Sequence, residues 1–208
     1  MARHHLPRRL LQLYIGLLLY GTSSALQVRS GLGLDPWDVF HQGLARHIGL
    51  AIGTVVIIVG AAVLLLWIPL RQWPGLGTIS NVVLVGLAMN WALDLLPSHA
   101  PLGWRVAELL GGITLCGVAT GMYISASFGP GPRDGLMTGL ARRTGRSIRL
   151  VRTGLELTVL VVGWVLGGTV GIGTVIFALA IGPLAQLFLR LFAIPNAAPE
   201  PAAEPVTA

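Results

Sequence analysis

The sequence has no lysine and a single cysteine, and charged residues make up 11% of its 208 positions. An ordinary soluble domain carries roughly a quarter charged residues. One cysteine cannot form an intrachain disulfide. Cys116 lies inside an apolar run with no Cys/His spacing of the zinc type around it, so neither a disulfide scaffold nor a zinc site is expected. Without lysine there is no phosphate loop of the Gly-rich, Lys-containing kind. No nucleophile–base pair, metal cluster or cofactor motif occurs, so no enzyme activity, metal or cofactor is expected.

All of the positive charge is therefore arginine, and it gives a net +6. A basic balance can signal nucleic acid. Here the arginines sit in links between apolar runs, which points instead to orientation in a membrane and to no nucleic-acid partner. Hydrophobic residues make up 54% of the chain and the mean hydropathy is +0.77. Six apolar runs of near-bilayer length occur, at about 9–28, 50–70, 79–96, 104–126, 148–166 and 175–194. In lipid each run must satisfy its own backbone hydrogen bonds, which favours helices. The fold class is an all-α membrane protein with six transmembrane helices and the lipid bilayer as its first partner.

Two of the runs are followed by Gly/Pro/Asp breaks that repeat. Gly31-Leu-Gly-Leu-Asp-Pro-Trp-Asp38 returns as Ser127-Phe-Gly-Pro-Gly-Pro-Arg-Asp134, matching Gly33 with Gly129, Pro36 with Pro132 and Asp38 with Asp134 at an offset of 96 residues. The same offset relates Gly43-Leu-Ala-Arg46 to Gly139-Leu-Ala-Arg142, Gly75-Leu-Gly-Thr78 to Gly171-Ile-Gly-Thr174, and Arg9 to Arg105. Matched Gly, Pro, Asp, Arg and Thr are far less frequent by chance than matched Leu or Ala, so the chain reads as a duplication. The basic start and the apolar 10–20 stretch resemble a signal peptide. Their internal copy argues for a retained helix. One transmembrane domain is expected over 1–194, with repeats at about 9–96 and 105–192, and a disordered cytoplasmic tail at 195–208, rich in Pro, Ala and Glu.

Three spans per repeat is an odd number, so the second copy is expected upside down relative to the first. The arginines agree. With the N-terminus inside, Arg3, Arg8, Arg9, Arg71, Arg133, Arg142, Arg143, Arg146, Arg149, Arg152 and Arg190 fall on the cytoplasmic side, and Arg29, Arg46 and Arg105 fall outside. The positive-inside rule then places both termini in the cytoplasm. The missing lysine and abundant Ala, Gly and Arg suggest a GC-rich bacterial genome, and hence a bacterial inner membrane.

The 31–40 element Gly-Leu-Gly-Leu-Asp-Pro-Trp-Asp-Val-Phe, the Gly43-Leu-Ala segment and the Gly75-Leu-Gly-Thr78 turn resemble the YitT/YczE-type family of bacterial integral membrane proteins. The resemblance covers nearly the whole chain except the tail. It implies a six-helix cytoplasmic-membrane protein and no particular substrate, so it supplies no binding residues. Arg133 stands where the first copy has Trp37, so the motif is fuller in the first half.

The candidate site residues are Gly33, Pro36, Asp38, Gly129, Pro132, Asp134, Arg152, Glu156, Asn90 and Gln186. Asp38 and Asp134 each precede an amphipathic stretch and are expected first as helix N-caps, and second as acidic groups at the two mouths of a pathway. Thr78 and Thr174 are expected as N-caps of the helices that follow them. The short helices after the breaks are interfacial or re-entrant. His41, Gln42 and Arg46 favour the interface, where they would meet headgroups. Arg152 and Glu156 stand four apart in span five and break the symmetry of the repeat; in lipid they should face the bundle interior. Asn90 and Gln186 are equivalent positions of the repeat. Gly49/Gly53, Gly117/Gly121 and Gly163/Gly167 have the spacing of close helix packing, within the chain or in a homodimer. The expected function is a small secondary transporter for an unknown small molecule or ion. The alternative is a membrane accessory protein that supports a biosynthetic or assembly complex.

Overall fold

The computed structural model describes residues 6–98 and 100–194. The expected tail, 195–208, lies outside the described residues. Eight α-helices follow one another, with no strand among the described residues: α1 Leu6–Ser30, α2 Pro36–Ile48, α3 Ile52–Trp67, α4 Leu76–Leu95, α5 Leu102–Ser125, α6 Pro132–Thr144, α7 Ile148–Val165 and α8 Ile172–Phe192. Helices α5 to α8 each begin 96 residues after α1 to α4, so the repeat holds at the level of the elements as well as the residues.

The helix starts differ from expectation in a consistent way. Asp35, not Asp38, caps α2: its carboxylate accepts from the backbone N–H of Trp37 at 2.9 Å and of Asp38 at 3.1 Å. Pro36 explains the shift. Proline has no N–H and a φ already suited to the first helical position, so the cap falls on the residue before it. In α6 Pro132 takes that first position and Gly131 the cap, so Asp134 does not cap either. Thr78 and Thr174 stand at the third position of α4 and α8, where their hydroxyls accept from the N–H of Gly75 (3.2 Å) and Gly171 (3.3 Å).

Helices α1, α4, α5 and α8 form one packed group, in which α1 meets α4 and α5, and α5 meets α8. Its centre is Leu13 and Leu17 of α1, Met89 of α4 and Tyr123 of α5. Of the remaining four helices, α2 lies on α7 and α3 on α6 of the other repeat, and α3 also packs on α4. Trp67 at the end of α3 is buried against Gly135 and donates its indole N–H to the Pro132 carbonyl at 3.1 Å.

The two halves also clasp each other reciprocally. Gly77 N–H donates to Phe128 O at 2.8 Å, and its equivalent Gly173 N–H donates to Leu32 O at 2.9 Å. Arg9 donates through Nε to Ala126 O at 2.9 Å, and Arg105 to Ser30 O at 2.6 Å. Gly33 and Gly129 serve this clasp. Their φ angles of 124° and 107° are disfavoured for any side chain, and a Cβ on either would press on the Gly/Thr turn of the opposite half.

The polar residues of α2 divide between interior and surface. His41 is 1% exposed and bonded to Asp38, Gln42 accepts from Thr169 N–H at 2.7 Å, and Arg46 donates to the Gly167 carbonyl. His41 and Gln42 are thus engaged within the protein, while Arg46 stays on its surface. Helices α2 and α3 form a pair bent by 111° at a short break. By length and composition alone, α4, α5 and α8 can cross a membrane, and the bent pair makes a fourth candidate. Helix α7 has the length, but Arg149, Arg152 and Glu156 interrupt its apolar character.

Candidate functional site

The breaks bring the starts of α2 and α6 to a central cavity of about 340 Å³. Every helix contributes: Tyr20 from α1, Trp37 and His41 from α2, Gly60 from α3, Asn81 from α4, Tyr123 from α5, Arg133 and Asp134 from α6, Arg152 and Glu156 from α7, Phe177 and Gln186 from α8.

Arg133 is the hub. Its guanidinium approaches Asp35 at 3.7 Å and Asp38 at 3.6 Å, and lies 5.1 Å from the centre of the Trp37 ring. These separations exceed a hydrogen bond and are those of ion pairing and cation–π attraction. Positions 37 and 133 are equivalent in the repeat, so the two copies of one position touch each other here. Asp38 pairs through Oδ1 with His41 Nδ1 at 3.0 Å. Asp134, its equivalent, accepts instead from the Tyr123 hydroxyl at 2.8 Å, and Tyr123 meets Tyr20 edge-on. The Arg152 Nε–Glu156 Oε1 pair, at 2.8 Å, lies on the cavity wall while Arg152 stays half exposed. Trp37 Nε1 and Asp38 Oδ2 are buried without a hydrogen-bond partner among the described residues. The lining carries Asp35, Asp134 and Glu156 together with Arg133, Arg152 and His41, so acidic and basic side chains are equal in number.

Of the residues singled out from sequence, Pro36, Pro132, Asp134, Arg152, Glu156 and Gln186 line the cavity. Asp38 sits behind it, held by His41 and Arg133. Gly33 and Gly129 lie in the clasp between the halves. Asn90 is apart from the cavity: its side chain accepts from Gly53 N–H at 2.8 Å and donates to Thr54 Oγ1 at 3.3 Å, stitching α3 to α4.

Sequence reasoning passed over Asp35, Trp37, His41, Tyr123 and Arg133. A usable signal existed for Asp35, because an aspartate directly before a proline that opens a helix is placed to cap it. Arg133 stands in the sequence only as the position where the second copy departs from Trp37; in the fold it supplies the cation beside Asp35 and Asp38. Among the described residues no group of three or more His, Cys, Asp or Glu side chains could hold a metal.

A family model described as a family of unknown function (DUF6198) matches residues 7–190. The chain belongs to this family. An uncharacterized protein of Haemophilus influenzae is 40% identical over 181 residues, covering 87% of this chain and 83% of the relative. The uncharacterized membrane protein YczE of Bacillus subtilis is 36% identical over 181 residues, covering 86% and 81%. The uncharacterized protein YyaS of Bacillus subtilis is 27% identical over 181 residues, covering 85% and 90%. The resemblance to the YczE type stated from the break and turn motifs is thus borne out, and with it the membrane character. No solved structure matches.

Proposed function

We propose that the protein is a small secondary transporter of the bacterial inner membrane, with six spans in two inverted three-helix repeats, both termini in the cytoplasm, and the cavity around Arg133 as its solute site. The observation that carries this reading is the contact of Arg133 with Trp37 on the cavity wall. Equivalent positions of two repeats can meet only close to the axis that relates them. Inverted-repeat transporters hold their solutes on such an axis, between the repeats. The reciprocal clasp supports the same symmetry.

The packing refines the mechanism. The repeats are interlaced, so the moving bodies would be the α1/α4/α5/α8 group and the α2/α3/α6/α7 group, each drawn from both repeats. Carboxylates and guanidinium groups together on the cavity wall suit a small polar solute.

The test compares all small polar solutes inside and outside cells that lack the protein, overproduce it, or overproduce Arg133→Gln. At least one solute should redistribute with the wild-type protein and revert with the variant. If correctly inserted wild-type protein changes none, the transport reading fails. The topology is read from reporters fused after Gly49 and after Gly145, which should lie on opposite sides of the membrane; a shared side removes the inverted repeat.

One observation favours the accessory-protein reading. Only 11% of the most apolar stretch of α8 is buried, which leaves a long face for a partner as well as for lipid. A stoichiometric copurifying partner, with solute distribution unchanged, would select it.

A further inference from the structure

The cavity is sealed on one side and unsealed on the equivalent side. Helices α3 and α4 close the first: Gly53 and Gly86 lie so near that a Cβ on either would collide with the other's carbonyl, and Asn90 stitches the contact. In the second half α7 has no comparable packing on α8. Gly182, the equivalent of Gly86, has nothing within 4 Å of where its Cβ would stand. Gln186, the equivalent of Asn90, faces the cavity instead of a neighbouring helix backbone. Across the gap on α7 stand Arg152 and Glu156, where the first half has Val56 and Gly60.

We infer that the structure captures one of two states, and that in the other α7 closes on α8 at Gly182, latched by Arg152 and Glu156 against Gln186, while α3 parts from α4. Three features carry this. Gly182 leaves room for the two long side chains of α7. The Gln186 amide offers one acceptor and one donor, which match the guanidinium and the carboxylate. Pro183 denies α8 one backbone hydrogen bond beside Gly182, so the helix can bend at that level. Meanwhile α8 is anchored on α5, where Gly117 and Gly121 take Leu184 and Phe188, so α7 is the element that moves. The use of this gate rests on the transport reading; its detection does not.

The experiment is cysteine cross-linking in membranes, in a Cys116→Ala background. A Cβ placed on Gly60 stands 3.7 Å from Val82 Cβ, within reach of a disulfide. Gly60→Cys with Val82→Cys therefore reports the state described. Thr153→Cys with Gly182→Cys reports the other, because their equivalents Ile57 and Gly86 touch in the first half. Both pairs should cross-link, and locking the first should abolish the second. Glu156→Gln combined with Gln186→Leu should lower the second several-fold and spare the first. Cross-linking of the first pair with none of the second, or both bonds in one molecule, would overturn the gate. Failure of the transport reading alone would leave the cross-links in place and appear only as unchanged solute distribution.

Discussion

Arg133 holds together a set of groups that would repel one another without it. Asp35 and Asp38 are both nearly fully buried, and its guanidinium is the cation within 4 Å of each. Removing one partner of a buried pair leaves the other charge uncompensated, a cost of about 3 kcal/mol. Arg133→Gln should lower the thermal unfolding midpoint in detergent accordingly, and combining it with Asp35→Asn should recover part of the loss. Asp35 has a second duty that the same series separates. Asn caps a helix as well as Asp, whereas Ala does not, so Asp35→Ala should cost about 1 kcal/mol beyond Asp35→Asn. An equal cost for both would remove Asp35 as the cap. The residues at this scale were half legible. Asp134, Arg152 and Glu156 announced themselves because charge in an apolar chain is conspicuous. Arg133 did not, because its partners are distant in sequence and come together only when the two breaks fold toward one cavity.

At the scale of elements, the spacing of glycines was visible but its use was not. Gly117 and Gly121 pack α5 on α8, as that spacing suggests. Gly49 and Gly167, in pairs of the same spacing, instead take left-handed conformations at helix ends, with φ of 69° and 84°. Spacing alone does not distinguish a groove from a stop signal; the left-handed φ is a backbone property that neighbouring residues set. Gly86 and Gly182 give a cleaner contrast, since they are equivalent in sequence and opposite in surroundings. Gly86→Leu should destabilise by about 3 kcal/mol, the upper end for overpacking. Gly182→Leu should leave the unfolding midpoint unchanged and suppress the Thr153→Cys/Gly182-side closure, read by moving the α8 cysteine to Ile181. Equal destabilisation by the two leucines would show that α7 and α8 are already in contact.

At the scale of the molecule, the duplication was legible because the 96-residue offset runs without a gap, and four helix starts reproduce it. The interlacing was not legible. Nothing in the pattern of apolar runs says that α2 belongs with α7 and α3 with α6, because those pairings depend on close approaches such as Phe40 to Gly163 and Trp67 to Gly135. Neither half can complete its own packing, so residues 1–98 and 99–208 expressed separately should each fail to accumulate, and coexpression should restore both. Stable accumulation of either half alone would contradict the interlacing. The reciprocal bonds from Gly77 to Phe128 and from Gly173 to Leu32 also set an order of events during synthesis. When α4 is made, the carbonyl that its first turn bonds has not yet been translated. The bond from Gly77 can therefore close only once α5 and the second break have followed. Helix α8 meets no such delay, since Leu32 was made long before it. The ribosome thus treats two nearly identical halves unequally: the first is delivered unfinished, and the second finishes both.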